Sequence, residues 1–240
     1  MIIAIPFVDG SCNYDHLRDK LLAAGACEHH SLVVISRVQD SEPATAFHKR
    51  IQKLFSMSEL VYLPDMDRST SQLQNDMFRE ASVWANEKID TDDEVPNAPW
   101  LYLDPNYVPQ CSAWADLIET EYYKGHKQIM GMPEKYPDVV IDSYGRKETI
   151  DGGYYFDGPV VLDRQFHSRS GLIQSLGSRQ HWRIHLRYEM SQNHDAVAFL
   201  GKSSKSFLKK SDRKAPKPSN SDKNHVPNGA VAEDLEPATP

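Results

Sequence analysis

Short apolar runs alternate with amphipathic stretches along the first half of the chain. The runs IIAIPFV (Ile2–Val8), LVVIS (Leu32–Ser36), LVYL (Leu60–Leu63) and WLYL (Trp100–Leu103) each stop at polar or turn residues. Apolar runs without polar alternation predict strands buried on both faces. Between them Leu17, Leu21 and Ala24 recur at helical spacing, as do Phe47, Ile51 and Leu54, and then Leu73, Met77, Ala81 and Trp84. Each set lays a stripe along one side of a helix. Ser41 before Glu42-Pro43 marks one helix start, and Ser71 with Gln74 three residues on has the spacing of a capping box. A further amphipathic helix follows Pro109, with Trp114, Leu117, Ile118 and Tyr122 on its buried side.

This strand–helix alternation predicts an α/β protein with a mostly parallel central sheet flanked by helices on both faces. Ligands of such sheets bind at the carboxyl ends of the strands. That rule selects the segments Val8–Asn13, Arg37–Asp40, Pro64–Ser71 and Asp104–Pro109 as the places for chemistry.

A length of 240 residues accommodates one sizeable core or two small ones. Three widely spaced cysteines, Cys12, Cys27 and Cys111, exclude a secreted disulfide framework. No stretch approaches the roughly 18–20 apolar residues of a membrane span. The apolar opening Met1–Val8 is interrupted by Pro6 and stopped by Asp9, so a cytoplasmic protein with no membrane span is expected. The net charge of -7 gives no overall attraction to nucleic acid or an anionic membrane.

That charge is unevenly placed. Lys202 to Lys223 holds eight basic and two acidic residues, whereas Met1 to Gly201 carries a net of -10. Beyond about Lys209, Pro, Ser, Asn, Lys and Asp replace nearly every residue able to bury apolar area. The expected organisation is a domain over residues 1–207 and a disordered Lys/Pro/Ser-rich tail with an acidic end over 208–240. Such a tail serves either as a solubilising or linking extension or as a contact for a polyanion.

Absent motifs narrow the class. The chain has no GxxxxGK[ST], no GxGxxG after its first strand, no GxSxG and no cysteine pair spaced as a zinc knuckle. His29-His30, placed before a strand, would point its rings to opposite sides and make a poor ligand pair. The informative segment is PWLYLDPNYVPQCSAW, Pro99 to Trp114. A buried strand there delivers Asp104 and Asn106 to the sheet edge, with Pro105 fixing the turn between them. Two oxygen ligands at this spacing suit a hard divalent cation that bridges to a diphosphate. A turn in which Asp104 caps the next backbone amides is the alternative reading of the same residues.

The segment resembles the aspartate motif of nucleotide-sugar glycosyltransferases with the GT-A fold, particularly the short bacteriophage and bacterial glycosyltransferase-like proteins. Those carry a WLWLDAD-type strand followed by proline and a tryptophan-containing helix. Upstream, QLQNDMFREASVWA (Gln72–Ala85) resembles the helix preceding this motif, and GYYFDGPVVLDRQF (Gly153–Phe166) resembles the loop and strand of the acceptor side. The resemblance spans roughly Ile2 to Lys205 and implies a GT-A-like, Rossmann-like nucleotide-binding half. It further implies transfer of a sugar from a nucleoside diphosphate sugar to a hydroxyl, with Mn2+ or Mg2+ as cofactor.

Carried onto this chain, the resemblance implies Asp104 and Asn106 as metal-side residues and Lys202 as a phosphate partner, with Gln72 and Asn75 toward base or ribose. Asp151, Asp157 and Asp163 are the alternatives for the acceptor base. Two departures matter. The family pattern has Asp where this chain has Asn106, and a late metal-binding histidine where this chain has Leu200. In RQHWRIHLRYE (Arg179–Glu189), His181, Arg183, His185 and Arg187 would share one strand face, and His185 is the candidate replacement ligand. The acceptor is left open between a glycan, another sugar, a protein and a phage-modified nucleobase in DNA. A catalytically degenerate GT-A-like binding or assembly protein is the alternative to an enzyme, and a nucleotide-binding α/β protein outside glycosyl transfer is a further one.

Overall fold

The computed structural model describes residues 1–37, 41–64, 70–91, 98–125, 128–135, 139–141, 147–149, 154–163, 166, 197–199 and 207–211. In chain order these form β1 (Ile2–Phe7), α1 (Tyr14–Ala24), β2 (Cys27–Ser36), α2 (Glu42–Ile51), β3 (Phe55–Tyr62) and α3 (Thr70–Thr91). Then follow β4 (Trp100–Tyr102), β5 (Tyr107–Pro109), α4 (Trp114–Gly125), β6 (Ile129–Lys135), β7 (Val139–Ile141) and β8 (Lys147–Thr149). The last strands are β9 (Tyr154–Leu162), β10 (Val197–Phe199) and β11 (Leu208–Lys210).

Seven of the described strands build the central sheet in the order β10-β6-β9-β4-β1-β2-β3. All neighbours are parallel except β9, which runs antiparallel to both β4 and β6. The mostly parallel α/β sheet expected from the sequence is therefore the one observed. Its first strand shows why the apolar run is unbroken. Ile3, Ile5 and Phe7 enter one core with residues of α1, α2 and α4, while Ile2 and Ala4 enter a second core with α3. Both faces of β1 are covered, so neither carries polar residues.

The predicted helix stripes form the inner faces. Leu17, Leu21 and Ala24 of α1, Phe47 and Ile51 of α2, and Leu73, Met77, Ala81 and Trp84 of α3 are all buried. In α4, Trp114, Ile118 and Tyr122 are buried, whereas Leu117 stays half-buried at the margin. Local chemistry sets the ends. Asn13 Oδ1 accepts from His16 N at 3.0 Å to cap α1, and Gly25, at φ 89, terminates it. Ser41 Oγ accepts from Ala44 N at 3.3 Å to cap α2.

His29 and His30 lie inside β2, not before it. His29 is exposed and His30 is buried, so their rings do leave on opposite sides. The α-amino group of Met1 donates to His30 Nδ1 at 3.2 Å and pairs with Glu119 at 2.8 Å. An ammonium only donates, so Nε2 carries the imidazole proton and gives it to Asp116 Oδ1 at 3.0 Å. The strand β11 falls at the start of the Lys-rich tail and pairs antiparallel with β5. Leu208 is buried in the first core, and Phe207 packs against it. No described helix is long and apolar enough to cross a membrane.

Candidate functional site

The chain runs from β1 outward to β2 and β3, then returns to place β4 on the other side of β1. The carboxyl ends of β1 and β4 are thus the topological switch point of the sheet, where crevices of parallel α/β sheets open. Two of the four segments selected from the sequence meet here. One is the loop after β1 and the other is the Asp104 turn.

The β1 loop is held shut by its own backbone and by Tyr14. Ser11 N and Ser11 Oγ both donate to Val8 O, at 3.1 and 2.8 Å, and Gly10 supplies the positive φ of 71° that this tight bend needs. The Tyr14 hydroxyl accepts from Val8 N at 2.8 Å and donates to Pro6 O at 3.0 Å. Its ring stacks on Phe7 with centroids 4.0 Å apart. Burial raises the Tyr14 phenol, so the proton that reaches Pro6 stays in place.

The second wall follows β4. Leu103 N continues the parallel register by donating to Ala4 O at 2.9 Å, which carries Asp104 past the end of the sheet. Asp104 Oδ1 accepts from Asn106 N at 2.9 Å and from Asn106 Nδ2 at 3.0 Å, and Asp104 O accepts from Tyr107 N at 2.9 Å. The capped turn weighed from the sequence is the geometry present. It is buttressed from behind, because Ser211 N donates to Asn106 O at 2.5 Å and β11 pairs with β5 immediately beyond.

These walls enclose a cleft of about 200 Å³ that includes Ser11, Cys12, Tyr14, Gln74, Met77, Asp104 and Asn106 in its lining. A second hollow of about 430 Å³ lies across the loop between α1 and α2, over Phe7, Tyr14 and Phe47, with Arg18 and Arg50 at its margin. Cys12 and Tyr14 line both. Burial pushes the Cys12 thiol up, against the Ser11 hydroxyl, and the nearby Asp104 charge adds to the rise. Cys12 is therefore a neutral wall and not a thiolate nucleophile at neutral pH.

Asp104 and Asn106 come together as expected. On α3 the cleft-lining residues are Gln74 and Met77, while Asn75 is 1% exposed in the interior and Gln72 is half-buried. The antiparallel register pairs Tyr102 with Val160 and Trp100 with Leu162. Asp157 thus sits in β9 toward the Asp104 end of the sheet. Asp163, past Leu162, lies at the opposite end, where its charge adds to the burial that raises the Tyr122 phenol. Asp151, His185 and Lys202 lie outside the described residues, as does the Arg179–Glu189 segment. Ser11, Cys12 and Tyr14 were not singled out by sequence reasoning; the strand-end rule selected the Val8–Asn13 loop that carries Ser11 and Cys12, and Tyr14 lies just past it at the start of α1.

The donor set decides what cation the site fits. Among the described residues no group of three or more His, Cys, Asp or Glu side chains could hold a metal. Asp104 Oδ1 already accepts both Asn106 donors. These residues do not compose a protein-only centre; a single carboxylate fits a divalent cation that arrives with phosphate oxygens and water.

Fold and cleft together define an α/β protein with a mostly parallel sheet and a cleft at its switch point. No family model and no curated protein matches the chain. Among solved structures, the glycosyltransferase GlyE of Streptococcus pneumoniae TIGR4 is similar at a TM-score of 0.47 and 12% identity, over 83% of this chain and 44% of that one. The 4-diphosphocytidyl-2C-methyl-D-erythritol synthase of Anaerococcus prevotii DSM 20548 is similar at 0.49 and 13%, over 85% and 87%. TarS 1-349 of S. aureus in complex with UDP-GlcNAc is similar at 0.48 and 10%, over 90% and 59%. The chain spans roughly half the length of the glycosyltransferase chains it matches. At these identities and TM-scores the likenesses carry no inference about chemistry.

Proposed function

We propose that the chain transfers a sugar from a nucleoside diphosphate sugar to a hydroxyl acceptor, with the donor bound across the loop after β1. The observation that carries this proposal is Asp104, delivered by β4 to a cleft at the switch point of the sheet. The resemblance of the surrounding WLYLDPN segment to the glycosyltransferase aspartate motif supports it. The larger hollow, floored by Phe7, Tyr14 and Phe47, suits a nucleoside, and the adjoining cleft suits a diphosphate reaching toward Asp104.

In the transfer, the bond between the anomeric carbon and the diphosphate oxygen breaks, and a bond to the acceptor oxygen forms. The diphosphate leaves with the electron pair, and the acceptor hydroxyl gives its proton to a base. Asp157 is the candidate base, because β9 carries it toward the Asp104 end of the sheet. A bound Mn2+ or Mg2+ would supply positive charge against the leaving diphosphate. Asp104 would hold that cation, and the loop after β1 would orient the donor and exclude water from one side.

One observation favours a non-catalytic binding or assembly role instead. Asn106 gives its amide hydrogens to Asp104 where a second carboxylate would present oxygens. Calorimetry with a panel of nucleoside diphosphate sugars, with and without Mn2+, followed by product analysis, separates the two. Binding with sugar transfer is expected; binding without turnover selects the degenerate role, and no binding in any condition rejects both uses of the cleft.

A further inference from the structure

Among the described residues the sheet ends at β3, which has a strand on one side only. Leu63 N donates to Ser36 O at 2.8 Å, and Tyr62 is the register partner of Ser36. Backbone groups of a parallel strand turn alternately to either side. Positions 57, 59, 61 and 63 therefore bond to β2, and Ser58, Leu60 and Tyr62 turn their N–H and C=O groups outward. Among the described residues no backbone hydrogen bond outside the sheet ladder reaches these outward groups.

This edge lacks the usual protections. The strand FSMSELVY has no proline, lysine or arginine. Its single charge, Glu59, is turned to the α3 face, where its carboxylate accepts from Trp84 Nε1 at 3.0 Å. Met57, on that same face, is 37% exposed. On the other face Ser58 is hydrogen-bonded to His48 and Tyr62 to Thr45, both from α2, and Leu60 packs against the core. The side chains are fixed from within, and no other described strand pairs with the backbone edge.

We propose that β3 pairs antiparallel with β3 of a second copy of this chain, about a two-fold axis normal to the sheet with Leu60 facing Leu60. Such an axis keeps like faces together, so facing positions have the same parity. With Leu60 on the axis, Ser58 faces Tyr62, Glu59 faces Val61 and Met57 faces Leu63. Every outward N–H and C=O of 58, 60 and 62 then meets a partner. The next register, with Glu59 on the axis, sets two carboxylates directly opposite each other. A second copy satisfies both exposed edges at once with matched Leu60 side chains, which an unrelated extended peptide does not.

The register gives a specific test on the full chain. Facing Cα atoms of a hydrogen-bonded antiparallel pair lie ~5.5 Å apart, inside the roughly 4.4–6.8 Å span of a disulfide. In a Cys12→Ser/Cys111→Ser background, Leu60→Cys is expected to form covalent dimers under mild oxidation, and Met57→Cys is not. Sedimentation is expected to show a concentration-dependent dimer. It should weaken at least tenfold in Leu60→Pro, which removes the outward N–H together with the Leu60 side chain, and far less in Leu60→Ala, which removes the side chain alone, once circular dichroism confirms that both variants are folded. A monomer at all concentrations, a dimer that Leu60→Cys does not cross-link, or equal cross-linking at 57 and 60 would overturn the proposal. Binding of a different protein to β3 in place of self-association would overturn it as well.

Discussion

Asp104 Oδ1 accepts from both the backbone and the side-chain nitrogen of Asn106, and under the proposed function this pair of bonds decides how the cleft would meet a cation. The amide neutralises nothing but occupies the oxygen. Asn106→Asp replaces a donor with a second carboxylate, so the free protein gains like-charge repulsion and a divalent cation gains a ligand. Mn2+ affinity measured by calorimetry should rise about tenfold, ~1.4 kcal/mol. Unchanged affinity in Asn106→Asp would mean that this turn does not face the cation. Cys12 and Tyr14 work differently. Both remain protonated, and they shape the partition between the two hollows without taking part in proton transfer.

At the scale of elements, the turn depends on a contact from β9. Between Gly131 and Pro133 of β6 the pairing with β9 shifts, and Gly158, at φ 96, lies in the irregular stretch. A Cβ at Gly158 would run into the Tyr107 ring, and Tyr107 directly follows the Asp104–Asn106 turn. Gly158→Ala combines backbone strain with this clash and should cost about 2–4 kcal/mol of stability. Thermal denaturation checks the cost, and calorimetry should show weakened donor binding in parallel. A fully stable variant would show that Tyr107 moves aside freely.

The helices and the buried strands were legible because their signals are local: stripes at helical spacing and apolar runs that end at turn residues. The β3 strand begins earlier than LVYL suggested, at Phe55, since an edge strand tolerates the serines and glutamate of FSMSE. β11 was not legible. Only Leu208 of that strand is buried, and the pairing that orders it lies about a hundred residues away on β5. Half of the site was legible for a similar reason. Asp104 stands at the end of an apolar run, whereas Tyr14 acts through bonds to Pro6 and Val8 that no spacing announces.

For the whole molecule, the buried His30 and the half-buried His48 tie stability to pH. Burial lowers the His30 pKa, and the Met1 ammonium lowers it further, against the opposing pull of Glu119 and Asp116. Burial lowers His48 as well. In the unfolded chain these imidazoles take up protons near pH ~6.5. Just below that pH the unfolded state binds more protons than the native one, so stability is full above it and falls on acidification. The melting temperature between about pH 7.5 and 5.5 should decline less steeply in His30→Gln, which keeps a donor for Asp116. Identical slopes would remove His30 from the balance.

The cleft itself is tested most directly by calorimetry of Asp104→Ala against the unaltered chain, using whichever nucleoside diphosphate sugar binds. Loss of the Mn2+-dependent part of the affinity, with the fold intact by circular dichroism, is the expected result. Equal affinity and equal metal dependence in the two proteins would contradict it.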